Sequence, residues 1–282
     1  MTPSRIFRDD LFSGQVALVT GGGTGIGVAV ARELGKLGAT VVIASRKPEN
    51  IEPAAAGLSE ELGRPVYGEL CDIRDRDSTE RLAKGVVERF GRIDLLVNNG
   101  GGQFLAPAET ITPKGWDAVV ATNLTGTWNL TRAVADAWML AHGGSVVSIT
   151  MLTRRTFPGM AHSVAARAGV EAMTRTLAIE WVSKGMRLNC IAPGIVASSG
   201  LSRYPAGLGV METMKSMIPM KRLATCEEIA WAVAWLASPA GAYVTGQVIT
   251  IDGGKELWGD WWPIADPPGM TPVEIPKEPW ER

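Results

Sequence analysis

One stretch near the start restricts the fold more than any other: "VALVTGGGTGIGVAVARELGKLG". A run of buried-type residues ends at Thr20, glycines stand at 21, 25 and 27, and a helical pattern begins at once. Glycines at this spacing allow a tight turn between strand and helix. They also let the backbone approach a pyrophosphate, which the helix N-terminus then stabilises. Gly21, Thr24, Gly25, Ile26 and Gly27 are therefore the first candidate cofactor-binding residues. A glycine triplet alone is a weak motif; a strand before it and a helix after it make it strong.

The rest of the chain repeats that unit. Gln15–Thr20, Thr40–Ser45, Asp94–Asn99, Gly144–Thr150, Arg187–Pro193 and Gln247–Asp252 are short runs rich in Val, Ile and Leu without alternation. Strands covered on both faces have this composition. Amphipathic segments such as "STERLAKGVVERFG" lie between them. Strand–helix–strand repeats impose right-handed crossovers and a parallel sheet, so an α/β doubly wound Rossmann fold is expected. No internal break falls before Gly254, and we expect one domain over 1–254. The segment 255–282, dense in proline and tryptophan, cannot be a helix and is expected to pack as an arm on the body or on a neighbouring subunit.

The end of the second strand decides which dinucleotide suits the chain. An acid there would grip the adenosine ribose of NAD, whereas this chain reads "IASRKPEN". Ser45, Arg46 and Lys47 offer a hydroxyl and two cations, which suit the 2′-phosphate of NADP. Asp72, followed by Ile73, ends the third strand, where a short carboxylate can accept from the adenine amino group. Asn98, Asn99 and Gly100 continue the expected cofactor path at the fourth strand's end.

Net charge is −1, which gives no reason to expect nucleic acid or an anionic membrane surface as partner. Cys71, Cys190 and Cys226 are far apart and odd in number, without metal-ligand spacing, so buried thiols and no metal are expected. No apolar run approaches a membrane span of about 18 residues. With no signal-peptide pattern at the start and no peroxisomal address in "PWER", a cytoplasmic protein is expected.

From Phe12 to Gly254 these features together resemble the short-chain dehydrogenase/reductase family: TGxxxGxG, the "NNGGG" strand end, the asparagine in "ATNLTGT", and "APG" near Pro193. Longer strings, "NNGGGQFLAPAE", "HSVAARAGVEAMT" and "LAIEWVSKGMRLNCIAPG", are similar to the peroxisomal-type trans-2-enoyl-CoA reductases. The resemblance implies seven parallel strands, a homotetramer, NADP(H) as cofactor and an acyl-CoA-type substrate. It also implies roles for single residues. Pro193, Gly194 and Ser198 would read the nicotinamide and pyrophosphate, and Asn123 would be the active-site asparagine that keeps a proton or water path open. Thr150, thirteen residues before Ser163, would take the place of the family's serine, with Met151 there instead if one residue is inserted.

The chain departs from the family where it usually keeps tyrosine and lysine four residues apart; here stand Ser163 and Arg167. The related 2,4-dienoyl-CoA reductases also carry serine there but retain lysine, so Arg167 favours the 2-enoyl group. A serine hydroxyl is a far weaker acid than a phenol, and arginine does not relay protons. Alcohol–ketone chemistry is thereby disfavoured. Reduction of a double bond conjugated to a thioester places charge on an enolate oxygen that needs hydrogen-bond donors more than a full proton. Glu171 stands where members of the closer group carry tyrosine.

Tyr204, in the expected substrate lid, is a further candidate acid, while Tyr67 and Tyr243 are expected to pack. His162 is expected to make a structural hydrogen bond and His142 to lie in a turn. Arg154, Arg155, Lys215, Lys221 and Arg222 are candidates for the CoA phosphates or plain surface charge. Three functions stay open: a 2-enoyl-CoA reductase, an NADP-dependent alcohol or ketone dehydrogenase, and a silent NADP-binding protein.

Overall fold

The computed structural model describes residues 7–155, 157–198 and 210–258. Seven parallel strands form one sheet: β1 (Val16–Thr20), β2 (Thr40–Ser45), β3 (Val66–Leu70), β4 (Leu95–Asn98), β5 (Gly144–Ile149), β6 (Met186–Pro193) and β7 (Val248–Ile251). Their spatial order is β3-β2-β1-β4-β5-β6-β7. The order reverses between β1 and β4, so the crevice at their C-terminal ends is where an open α/β sheet receives a ligand.

Each face of the sheet is covered, which is why β1, β4 and β5 are buried almost throughout, their apolar residues not alternating with exposed ones. Helices α1 (Gly25–Lys36), α2 (Pro48–Leu62) and α9 (Cys226–Ala237) share one core with Ala17, Val19, Val41 and Ile43. On the other face, α3 (Arg76–Phe90), α5 (Gly126–Val134) and α7 (Ala161–Glu180) close over Leu18, Val42, Leu96 and Val146. β3 is the edge strand and alternates in burial, with Leu70 58% exposed. It ends at Leu70, so Asp72 lies two residues beyond the strand rather than at its end. Tyr67 packs against Phe90 at 4.8 Å, as expected, whereas Tyr243, also expected to pack, is fully exposed.

Between β4 and β5 runs α4 (Pro113–Val120), continuous with α5 and α6 (Leu140–His142) through π-helical turns at Ala121–Thr125 and Ala135–Met139. His142 closes that run, its ring stacked 3.6 Å from Trp138. The short α8 (Val210–Ser216) precedes α9. Tyr204, residues 199–209 of the lid expected over 199–220, and the arm beyond Trp258 lie outside the described residues. Among the described residues no helix is long and apolar enough to cross a membrane, and no cluster of His, Cys, Asp or Glu is built to hold a metal ion.

Candidate active site

The glycine turn after β1 is a cradle with no room for side chains. A Cβ on Gly27 would lie 2.1 Å from the Gly21 carbonyl oxygen, so α1 can start this close to the strand only with glycine there. Thr24, half-buried at the N-cap, makes no side-chain cap bond, so the amides opening α1 are left to another acceptor. Gly25 begins the helix, with Ile26 half-buried beside it. This space suits a pyrophosphate.

Asn99 acts on this cradle from behind. Its amide nitrogen donates to the Thr20 and Gly21 carbonyls at 3.1 and 3.2 Å, while the Asn99 and Gly100 N–H groups donate to Thr20 Oγ1. The Asn99 side chain therefore shapes the turn on which a cofactor would rest. Ile73 packs against Gly100 and Gly126.

At the end of β2, Arg46 and Lys47 are exposed beside half-buried Ser45. Lys47 pairs with Glu49 at 3.5 Å, which leaves Arg46 the better placed cation for a phosphate. Arg74 grips the Asp72 carboxylate through Nε and Nη2 and holds it below the usual carboxylate range, and Arg46 adds to the effect. Arg74 thereby orients the carboxylate, whose oxygens keep further lone pairs for another donor. Across the sheet, Gly194 donates to Ile251 O at 2.9 Å and fits closely over Asp252, fixing the loop from Pro193 to half-buried Ser198.

Helix α7 presents a buried polar stripe: Ser163, Arg167, Glu171 and Thr174, at helical spacing on one face. Ser163 is fully buried. Its hydroxyl donates to Gln103 Oε1 at 3.1 Å, and Met151 Sδ lies 3.5 Å from it. Gln103 itself is exposed, so it stands between Ser163 and anything entering from solvent. The family alternatives at positions 150 and 151 are thus separated: Met151 is the neighbour of Ser163. Thr150 turns away and donates to Glu171 Oε1 and Ile191 O, both at 3.2 Å, because the buried carboxylate needs donors. Thr153 completes that set with a 2.8 Å bond to Glu171 Oε2.

Arg167 Nη1 donates to Ile149 O at 2.9 Å. Its guanidinium lies against Gly101, where a Cβ would meet Nη2 at 2.1 Å and Asn123 Oδ1 at 2.8 Å. Burial pulls its pKa down to about 10, so it stays a cation through the neutral range. Asn123, fully buried in the first π-helical turn, takes both backbone groups of Gly102: Nδ2 donates to Gly102 O at 2.9 Å and Gly102 N donates to Oδ1 at 3.0 Å. Its amide holds the glycine run in place.

His162 Nδ1 accepts the Ser163 N–H at 2.9 Å, the structural bond expected, and its ring meets Phe104 edge-on at 4.4 Å. Cys190 takes a bond to Thr174 Oγ1, and burial pushes its thiol up to about 12, which leaves it unreactive. Of the five candidate CoA-phosphate cations, Lys215 pairs with Glu212, Arg222 with Glu228, Lys221 covers Trp258, and Arg155 donates to backbone carbonyls. Arg154 is 71% exposed, 4.0 Å from Glu256, and is the one best placed to meet a phosphate.

Sequence reasoning missed Gln103 and the roles of Glu171 and Thr153, and named Met151 only as an alternative to Thr150. A signal was present for Glu171 and Thr174, which continue the spacing of Ser163 and Arg167 on a helix otherwise facing the core. Gln103 had none, since a long-range contact brings its loop to Ser163.

Comparison with known proteins agrees with this geometry. A family model described as enoyl-(acyl carrier protein) reductase matches residues 21–256. The peroxisomal 2,4-dienoyl-CoA reductase [(3E)-enoyl-CoA-producing] of Danio rerio is 38% identical over 256 residues, 90% of this chain and 85% of that protein. The probable 2,4-dienoyl-CoA reductase [(2E)-enoyl-CoA-producing] of Bacillus subtilis (strain 168) is 36% identical over 86% of this chain and 97% of its own. Among solved structures, a citronellol catabolism dehydrogenase of Pseudomonas aeruginosa PAO1 superposes with a TM-score of 0.80 at 39% identity, covering 89% of this chain and 98% of that one. An actinorhodin polyketide ketoreductase variant with NADPH gives 0.82 at 30% identity, over 86% and 98%.

Proposed function

Since the chain belongs to the short-chain dehydrogenase/reductase family of oxidoreductases, we propose that it reduces the 2,3 double bond of trans-2-enoyl-CoA thioesters with NADPH. One observation carries this reading: the helix position that would hold a phenolic acid holds a buried serine bonded to an exposed glutamine amide, with a buried guanidinium one turn on. The glycine cradle, the amides opening α1 and Arg46 fit a phosphorylated dinucleotide, and when bound NADPH supplies the hydride that reduces Cβ.

The proton that ends on Cα comes from water, since neither serine nor arginine gives one up near neutral pH; the remaining parts of the reaction rest on the chain. Hydride arrival at Cβ sends charge to the thioester oxygen, which needs hydrogen-bond donors already in place. The Gln103 amide carries N–H donors at the mouth of the site, and Ser163 holds its carbonyl. The Arg167 cation supports ribose hydroxyls and negative charge without giving up a proton near neutral pH. Carbonyl reduction would need a full proton on oxygen, which neither serine nor arginine supplies.

The relatives named above favour a second reading, in which a 2,4-dienoyl-CoA is the acceptor. Turnover of NADPH with trans-2-enoyl-CoA and with 2,4-dienoyl-CoA, with products identified, decides between them: faster reduction of the 2-enoyl substrate supports the first reading. Three buried cysteines suit a reducing compartment such as the cytoplasm. Exposed Ile179 and Val182 at the end of α7 suit burial in a homotetramer.

A further inference from the structure

The loop from β5 to α7 begins at the heart of the site. Met151 touches Ser163, and Thr153 is bonded to Glu171. Two residues on, Arg155 leaves the site and reaches the start of the C-terminal arm. Its Nη1 donates to the Lys255 carbonyl at 2.6 Å and to the Trp258 carbonyl. Carbonyls held by a charged donor make stronger bonds than neutral pairs.

The same short stretch is held from a third side. The Met220 N–H donates to Gly253 O at 3.2 Å, Gly254 lies close against Pro219, and the Lys221 ammonium sits 4.9 Å over the Trp258 ring. Lys221 adopts a left-handed backbone (φ 56°), alone among the described non-glycine residues. Such a conformation costs free energy and persists where its surroundings over-determine it. Ile218, two residues past the end of α8, packs on Ala197, in the loop between Pro193 and Ser198. Asp252 ties down the turn itself by accepting from the Gly254 and Glu256 N–H groups.

We propose that Arg155 is a positioning residue: through the turn 253–258 it straps the β5–α7 loop to residues 218–221 that follow α8 and, through Ile218, to Ala197 after β6, so that the two walls of the acceptor site keep a fixed separation. The inference rests on the enoyl-thioester reading for its kinetic test. It replaces a phosphate-binding role for Arg155 with a structural reach across the site, and it gives the arm's first turn a task in catalysis.

The full-length protein with Arg155→Ala and Arg155→Lys tests this against two acceptors, a trans-2-enoyl-CoA and the matching pantetheine thioester, which lacks the nucleotide phosphates. Arg155→Ala raises KM for both acceptors by about tenfold, the size of one lost charge-assisted bond, while NADPH affinity holds. Arg155→Lys, which keeps a cationic donor, recovers most of it. A KM rise confined to the CoA ester would overturn the proposal and make Arg155 a phosphate ligand; unchanged KM for both would also overturn it.

Amide hydrogen exchange supplies a readout free of turnover. In Arg155→Ala, residues 151–160 and 210–222 exchange faster, and those of β1 and α1 do not. Unaltered exchange in those segments defeats the strap. If wild-type protein fails to reduce any enoyl thioester and exchange nevertheless rises as stated, the strap stands and the enoyl reading falls.

Discussion

The Ser163 hydroxyl donates to the Gln103 amide carbonyl at 3.1 Å across sixty positions of sequence, with Ser163 fully buried and Gln103 exposed. This pair orders the site: serine anchors, glutamine faces outward. Removing either member should disturb the same interaction. Gln103→Leu is expected to lower kcat on an enoyl-CoA by about 100-fold, the effect of deleting one oxyanion donor, and Ser163→Ala by less. The double variant should be no slower than Gln103→Leu alone, because the two act in series. Additive losses in steady-state kinetics would show that they act separately.

Arg167 makes a prediction about pH. Its folded pKa, about 10, lies below the value of a solvated guanidinium, so the folded chain gives up this proton before the unfolded chain does. From this group alone, stability rises with pH above about 10, whereas any hold on the cofactor that depends on the charge weakens there. NADPH affinity measured by fluorescence titration should be level through neutral pH and fall as pH passes about 10. Arg167→Ala should bind about tenfold or more weakly and lack that alkaline fall.

Gly101 leaves no space between itself and the guanidinium, with Nη2 2.1 Å from where a Cβ would stand. Gly101→Ala must therefore displace Arg167 or the loop that Asn123 holds. It should reproduce much of the Arg167→Ala loss of NADPH affinity while the melting temperature moves by only a few degrees. Calorimetry beside the same titration separates the two effects.

Cofactor choice should turn on Arg46, the exposed cation at the end of β2. Arg46→Asp is expected to weaken NADPH by about one to two orders of magnitude and to strengthen NADH, since an acid there repels a 2′-phosphate and accepts from ribose hydroxyls. Equal losses for both cofactors would mean that Arg46 acts on something other than the phosphate.

Away from the site, α9 starts with a capping box in which Thr225 and Glu228 satisfy each other's backbone groups, and Arg222 holds the Glu228 carboxylate. Thr225→Ala should cost about 1 kcal/mol in denaturant unfolding and leave kinetics unaltered.

The sequence made the sheet legible because its inner strands are buried on both faces and β1 to β6 each lead on to a helical segment. It was least informative at β3, an edge strand with one open face, where apolar continuity gives way to "VYGELCD" and the strand ends before Asp72. The glycine cradle and the Ser163–Arg167 spacing could be read because they are local. The partners of these residues could not. Arg74 captures Asp72 by a turn that no pattern announces, Asn123 spends its amide on the Gly102 backbone, and Asn99 spends its own on the Thr20 and Gly21 carbonyls. Thr150 faces Glu171 because a one-residue offset decides on which side of the strand end a side chain falls.

The central claim is that this site reduces a carbon–carbon double bond in preference to a carbonyl. Purified protein given NADPH with trans-2-hexenoyl-CoA, and separately with 3-oxohexanoyl-CoA, tests it by mass identification of the products. The account predicts hexanoyl-CoA from the first and no hydroxyacyl-CoA from the second. Reduction of the 3-oxo substrate, with the enoyl substrate recovered intact, would contradict it.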